Sequence, residues 1–237
     1  FGGAYSNHVV ATAFAAKDNG FHSIGIIRGE ERLPLNPTLH FARENGIELH
    51  YVSRADYRLK ATPRFLDKLK VQFGDFYLLP EGGSNELAIN GTKEILDTSD
   101  IQDYICCSVG TGGTIAGIIN ASDSMQQVIG FPAIKGSGEL LKDVRCWTDN
   151  DNFKFINSYF YGGYAKLSKE LIQFINEFYV LHNIPLDAVY TGKMMMGILD
   201  LVAKDYFPKG SSILAIHTGG LQGNKGMSER LGIKLPS

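Results

Sequence analysis

Cysteine is scarce in this chain, and the little there is makes no pattern. Cys106 and Cys107 are adjacent inside an apolar run, Cys146 stands alone, and no pair has the spacing of a zinc site. That excludes a disulfide-stapled secreted scaffold and a cysteine metal centre, leaves no metal to expect, and fits a reducing cytoplasm. Charge of one sign is equally lacking. Lysine and arginine number 23 against 25 acids, for a net charge of −2, so no broad basic surface points to nucleic acid or an anionic membrane. Long hydrophobic runs are missing too, as is a signal peptide, which argues against a membrane-spanning or exported chain. No internal repeat or low-complexity segment appears. What remains is ordinary for a globular protein: 44% hydrophobic and 20% charged residues over 237 positions, enough for one large domain or two small ones.

Short apolar runs alternate with helical patterns almost throughout. Ser6 is placed to cap a helix running through Ala16, with Val9, Val10, Ala13 and Phe14 on one face. Strands are predicted at Ser23–Ile27, Ile47–Val52, Phe76–Leu79, Tyr104–Val109, Gln127–Ala133, Phe153–Ser158 and Ser212–Ile216. Helices are predicted at Thr38–Asn45, Pro63–Phe73, Glu86–Leu96, Leu167–Leu181 and Met194–Tyr206. Strands buried on both faces between helices mean an α/β fold with mainly parallel sheets. The turn Pro80-Glu81-Gly82-Gly83-Ser84-Asn85 is the best crossing between two lobes, residues 1–80 and 81–237.

The densest chemistry lies in Gly110-Thr111-Gly112-Gly113-Thr114, between the strand ending at Val109 and the apolar run Ile115–Ile119. Strand, glycine loop, helix is the order that offers bare backbone amides to a phosphate at the positive end of a helix. A nucleoside-triphosphate loop needs a lysine before its closing hydroxyl, and Gly113 stands there. The dinucleotide fingerprint needs a glycine where Ile115 stands, and an acid at the end of the next strand, which is missing. The plain alternative is a turn that only packs a helix against a sheet.

Three other segments share the character of this loop: Gly2-Gly3-Ala4-Tyr5-Ser6-Asn7-His8, Tyr190-Thr191-Gly192-Lys193, and His217-Thr218-Gly219-Gly220. Each reads as a strand end followed by small polar residues that open a helix, where ligands gather in open α/β sheets. Taken in order with the Glu-Gly-Gly-Ser-Asn turn, these motifs resemble the 1-aminocyclopropane-1-carboxylate deaminase and D-cysteine desulfhydrase family over nearly the whole chain. The resemblance implies pyridoxal 5′-phosphate as cofactor. It also implies the tryptophan-synthase-β-like architecture (fold type II): α/β, two-lobed, with mainly parallel three-layer α/β/α domains.

The resemblance also implies roles. Gly110, Thr111, Gly112, Gly113 and Thr114 hold the cofactor phosphate, and Asn7 meets its ring oxygen. Ser6, Asn7 and His8 receive the substrate carboxylate at a helix N-terminus. Thr191 or Thr218 faces the pyridine nitrogen, a weaker partner than the acid found in deaminases, which favours elimination from a thiol-bearing amino acid. Ser6, Tyr190 and Tyr164 are the catalytic candidates, the tyrosines for acid–base work. Ser6 could equally be a plain helix cap, and either tyrosine an ordinary half-buried one. The Met194–Met196 run reads as helix packing.

The family's Schiff-base lysine lies in an Asn-Lys motif upstream of the first of these loops. No lysine here matches that motif: Lys193 fills another family position, and Lys17 sits late in a helix. The chain starts at Phe1 without an initiator methionine, and the expectation is that such a segment precedes it. The function implied is a cytoplasmic, homodimeric lyase or deaminase acting on a small amino acid, releasing ammonia and a 2-oxo acid. The alternative is a non-catalytic binding protein for a phosphorylated metabolite.

Overall fold

The computed structural model describes residues 1–236, and the chain divides into two compact units, Phe1–Gly83 and Ser84–Ser237. In the first, Gly2 bridges Ile27 in parallel before the chain turns into helix α1 (Asn7–Asp18). Ser6 is extended, and its hydroxyl accepts the Val9 N–H at 3.3 Å, so it caps the helix as its residue type favours. Strand β1 (Ser23–Arg28), helix α2 (Pro37–Glu44), strand β2 (Ile47–Val52), the short helix α3 (Arg54–Tyr57) and helix α4 (Pro63–Phe73) follow. Pro37 and Pro63 occupy first turns, where a missing N–H costs nothing, and Asn36 and Thr62 cap them.

β1 and β2 pair in parallel, from Ser23 opposite Ile47 to Arg28 opposite Val52. Successive strand residues face opposite ways. Ile27 therefore packs with Val9, Ala13, Leu39 and Ala42 beneath α1 and α2. Ile26 joins Phe1, Tyr57, Phe65 and Leu69 on the side of α4. Each such side chain contributes about 1.5–3 kcal/mol by leaving water. The predicted strand at 76–79 does not form. Residues 76–79 belong to no strand, and Tyr77 is 69% exposed. The run's apolar composition matches a strand, but no ladder takes up its backbone groups.

The second unit opens with helix α5 (Glu86–Thr92), capped by Asn85, whose Oδ1 accepts the Ala88 N–H at 2.8 Å. Next come β3 (Tyr104–Val109), α6 (Gly113–Ala121), β4 (Gln127–Pro132), α7 (Gly138–Arg145), β5 (Phe153–Phe155), α8 (Lys169–His182), α9 (Thr191–Ala203), β6 (Ile213–Ile216) and α10 (Gln222–Leu231). The sheet has order β5-β4-β3-β6, and every pairing is parallel. β3 is central and buried on both faces. Ile105, Cys107 and Val109 pack with Ile115, Ile118 and Val144 under α6 and α7. Cys106 faces the other way, with Ile129, Phe131, Met194 and Ile198 under α9. α5 and α6 approach closely at Gly117, where a Cβ would lie 2.0 Å from Thr92 Oγ1.

Both units are thus α/β with parallel sheets, as the alternation of strand and helix predicts. Several boundaries differ, among them α5, which stops at Thr92 rather than Leu96, and α9, which stops at Ala203 rather than Tyr206. β5 stops at Phe155 rather than Ser158. α9 begins at Thr191 rather than Met194, and no strand precedes Tyr190. The early start of α9 is due to Asp187. Its Oδ1 accepts from the Val189 and Tyr190 N–H groups, and its Oδ2 accepts from the Thr191 N–H and the Thr191 hydroxyl. This carboxylate satisfies helix-opening donors and turns the segment into a helix lead-in. Among the described residues, no helix is long and apolar enough to cross a membrane.

Candidate functional site

The candidate residues of the first unit sit at the start of α1. Ser6 is engaged as the cap, yet a hydroxyl that accepts through a lone pair keeps its proton to donate. Asn7 is the first helical residue. His8 follows as the second helical residue, and its side chain turns into the protein. Its ring packs on Gly83, where a Cβ would fall 2.9 Å from both Cε1 and Nδ1, and it hydrogen-bonds the Pro80 backbone. Burial pushes its pKa down to about 4, so the imidazole is neutral near pH 7. A neutral, internally packed ring offers an anion little, and what His8 retains at this place is its backbone N–H.

A cavity of about 860 Å³ also opens in this unit, lined by Val9, Ala16, Ile24, Ile26, Phe73 and Tyr77 among others. None of the candidate residues lines it. It is a mainly apolar space beside β1, with His22 and Asp75 also in its lining.

The second unit gathers more. β3 and β6 are parallel neighbours, so their carboxyl ends deliver Gly110–Thr114 and His217–Gly220 to one edge of the sheet. Gly112, the residue before α6, has φ 93°, a left-handed conformation that glycine adopts without strain. Gly113 lies against Ser84, whose Oγ would be 2.7 Å from an added Cβ. No side chain caps α6, so its first amides form an open helix N-terminus. The Thr111 and Ser84 hydroxyls are 2.8 Å apart beside it. Bare amides, two hydroxyls and a helix dipole make a cradle for a dianion.

Beyond β6, Thr218 Oγ1 lies 3.5 Å from Ser108 Oγ, joining the two strand ends through hydroxyls. His217 braces this turn: its Nε2 meets the Pro185 carbonyl at 2.9 Å, and its Nδ1 accepts the Gly219 N–H at 3.1 Å. Thr191, the other candidate for the pyridine nitrogen, is fully buried. It donates its hydroxyl to Asp187 Oδ2 and accepts the Asp187 N–H. Its one proton is spent on the helix start.

Tyr190 and Tyr164 stand together, with ring centroids 6.1 Å apart in an edge-on arrangement. The Tyr190 hydroxyl would lie 3.2 Å from a Cβ on Gly110, which ties this pair to the glycine loop. Burial, followed by the Tyr164 phenol, pushes the Tyr190 pKa well above the usual tyrosine range. Tyr190 therefore keeps its proton at neutral pH and can donate it. Lys193 is buried as well, with Nζ bonded to the Phe160 and Gly163 carbonyls at 2.9 and 2.7 Å.

Ser84, Ser108 and Asp187 are not singled out by the sequence reading. Ser84 was legible as a hydroxyl in a glycine-rich turn. Asp187 was legible as an acid four residues before the first helical threonine, a helix-start signal. Ser108 lies within an apolar strand and gives no signal of its own.

A family model described as pyridoxal-phosphate dependent enzyme matches residues 2–219. A Pyrococcus horikoshii protein, provisionally named 1-aminocyclopropane-1-carboxylate deaminase, is 30% identical over 97% of this chain and 75% of its own length. An Arabidopsis thaliana protein named bifunctional D-cysteine desulfhydrase/1-aminocyclopropane-1-carboxylate deaminase, mitochondrial, is 29% identical over 94% of this chain and 63% of its own. A solved structure of an ACC deaminase homologue superposes with a TM-score of 0.76 at 27% identity, covering 97% of this chain and 76% of that one. With its parallel α/β units and a dianion cradle at the mouth of β3, the chain belongs to the pyridoxal-phosphate dependent enzyme family.

Proposed function

We propose that this chain serves a deaminase or lyase that releases ammonia and a 2-oxo acid from a small amino acid, D-cysteine or 1-aminocyclopropane-1-carboxylate being the leading substrates. The observation that carries this reading is the open α6 N-terminus, with Thr111, Ser84 and the Tyr190–Tyr164 pair at the carboxyl end of β3.

The residues fit pyridoxal 5′-phosphate. Gly113 leaves a gap that a Cβ would fill, and the donors around it are amides and hydroxyls, which suit a phosphate dianion without a compensating cation. When bound, the cofactor supplies an aldehyde for the substrate amine and a ring that draws electrons from the carbon being deprotonated. The backbone of Gly110–Thr114, with the hydroxyls of Thr111, Thr114 and Ser84, is assigned to hold the phosphate. Thr218, steadied by Ser108, is assigned to the pyridine nitrogen. A hydroxyl there strengthens electron withdrawal less than an acid would, which favours elimination of a thiol over opening of a strained carbon ring. Asp187 cannot substitute, because its oxygens are taken by α9.

In the first unit, Asn7 is assigned to the ring oxygen, and the Ser6 hydroxyl and His8 backbone N–H to the substrate carboxylate. Tyr190 holds a proton at its hydroxyl, and Tyr164 shares that hydrogen bond. The same reading includes a homodimer, checked by light scattering as a mass twice that of the protomer. A reducing compartment suits the three free cysteines.

The test is incubation of purified full-length protein with the cofactor and each amino acid, following 2-oxo acid and sulfide. Release of sulfide and pyruvate from D-cysteine supports the lyase reading. No 2-oxo acid from D-cysteine, 1-aminocyclopropane-1-carboxylate or related β-substituted amino acids overturns it.

A further inference from the structure

Lys193 is a buried charge that the proposed chemistry leaves without a task. It lies in the first turn of α9, where the helix dipole disfavours a cation, and it is 2% exposed. Burial pulls its pKa down to about 8, partly offset by the field of Asp187. A position this costly needs a return.

The return is visible in what Nζ touches. The Phe160 and Gly163 carbonyls, at 2.9 and 2.7 Å, bracket a turn in which Tyr161, Gly162 and Gly163 have φ of 46°, 84° and 111°, and Ala165 follows at 53°. Left-handed backbone costs a residue with a side chain about 1–2 kcal/mol, and such a turn persists only when its surroundings hold it. The residue this turn presents is Tyr164, edge-on to Tyr190, whose hydroxyl abuts Gly110. Lys193 Nζ, the 160–163 turn, Tyr164, Tyr190 and the glycine loop thus form one continuous line of contacts within the second unit.

We infer that Lys193 is a positioning residue: its two hydrogen bonds fix the 160–163 turn so that Tyr164 meets Tyr190 beside the glycine loop. Only the catalytic consequence rests on the proposed function; the mechanical part stands on the contacts alone. Hydrogen exchange read by mass spectrometry on full-length Lys193→Met separates the two. Exchange across residues 158–166 should rise about tenfold or more, while β3 and β4 keep their protection. In the same variant kcat should fall about 100-fold, with KM moving less than about threefold, since orientation rather than uniform binding is lost. Lys193→Arg, which keeps the donors, should recover part of both. Unchanged exchange at 158–166, or a loss spread evenly over the whole unit, overturns the inference. If Lys193→Met fails to fold, Lys193→Gln is measured in its place against the same outcomes. Should the wild-type protein prove inactive on every amino acid, the exchange result still decides the positioning role.

Discussion

Tyr190 is buried, its phenol is held protonated by that burial, and it abuts the glycine loop. Removing only the hydroxyl leaves the ring packing intact. Tyr190→Phe should therefore lower kcat/KM about 100-fold or more, in line with the worth of a positioned acid, while the circular dichroism spectrum stays unchanged. His8 gives a prediction on stability instead. Its folded pKa of about 4 lies below the ordinary 6.5, so between those values the unfolded chain binds more protons. The stabilising contribution of neutral His8 is thus complete above pH 6.5 and is lost as pH falls through 4. The loss should be on the order of 1–3 kcal/mol. Denaturant titrations at intervals from pH 7 to 4 check this, and His8→Asn should flatten the dependence. Such roles are only half-legible in a sequence. Asn7 and Thr111 stand at motif positions visible in the sequence, and Thr191 and His8 occupy motif positions yet direct their side chains into the protein. What separates the two groups is the partner each side chain takes: Asp187, four residues before Thr191, and Gly83, far along the chain from His8.

At the level of elements, reading is easiest where a strand is buried on both faces or a helix is capped. β3, β4 and α4 fall almost where their apolar runs and first-turn residues place them, because local preference and packing agree there. The run at 76–79 has the composition of a strand, but a strand also needs a neighbour, and pairing is not written in the run itself. The beginning of α9 is set by a single carboxylate three residues before its cap. α6 carries the sharpest test. Alanine normally improves a helix interior over glycine by about 0.5–1 kcal/mol. At Gly117 the added carbon meets Thr92 Oγ1 at 2.0 Å and the Ile89 carbonyl at 2.7 Å, on the backbone of α5. Gly117→Ala should reverse the usual sign and destabilise by about 1–3 kcal/mol, read as a fall in melting temperature. Gly113→Ala probes the other end of the helix. Its Cβ displaces the Ser84 hydroxyl, so cofactor affinity should weaken about tenfold or more with little change in the fold.

The whole chain carries two units with separate cores, so a single unfolding free energy does not describe it. The one tryptophan, Trp147, packs against the β3 core of the second unit and reports that unit alone. Its fluorescence transition should shift to higher denaturant when pyridoxal 5′-phosphate is added, by about 2.7 kcal/mol at 100 times the dissociation constant. An unshifted tryptophan transition would place the ligand elsewhere. One further pair of residues makes the molecule report on itself. Cys106 and Cys107 are sequence neighbours, yet they look into opposite layers, one roofed by α9 and the other by α6, and burial pushes both thiols up to about 12. An alkylating reagent reaches neither until a layer lifts away, while exposed Cys146 reacts at once and serves as the internal clock. The ratio of labelling at the two adjacent sulfurs therefore records which side of the sheet breathes first.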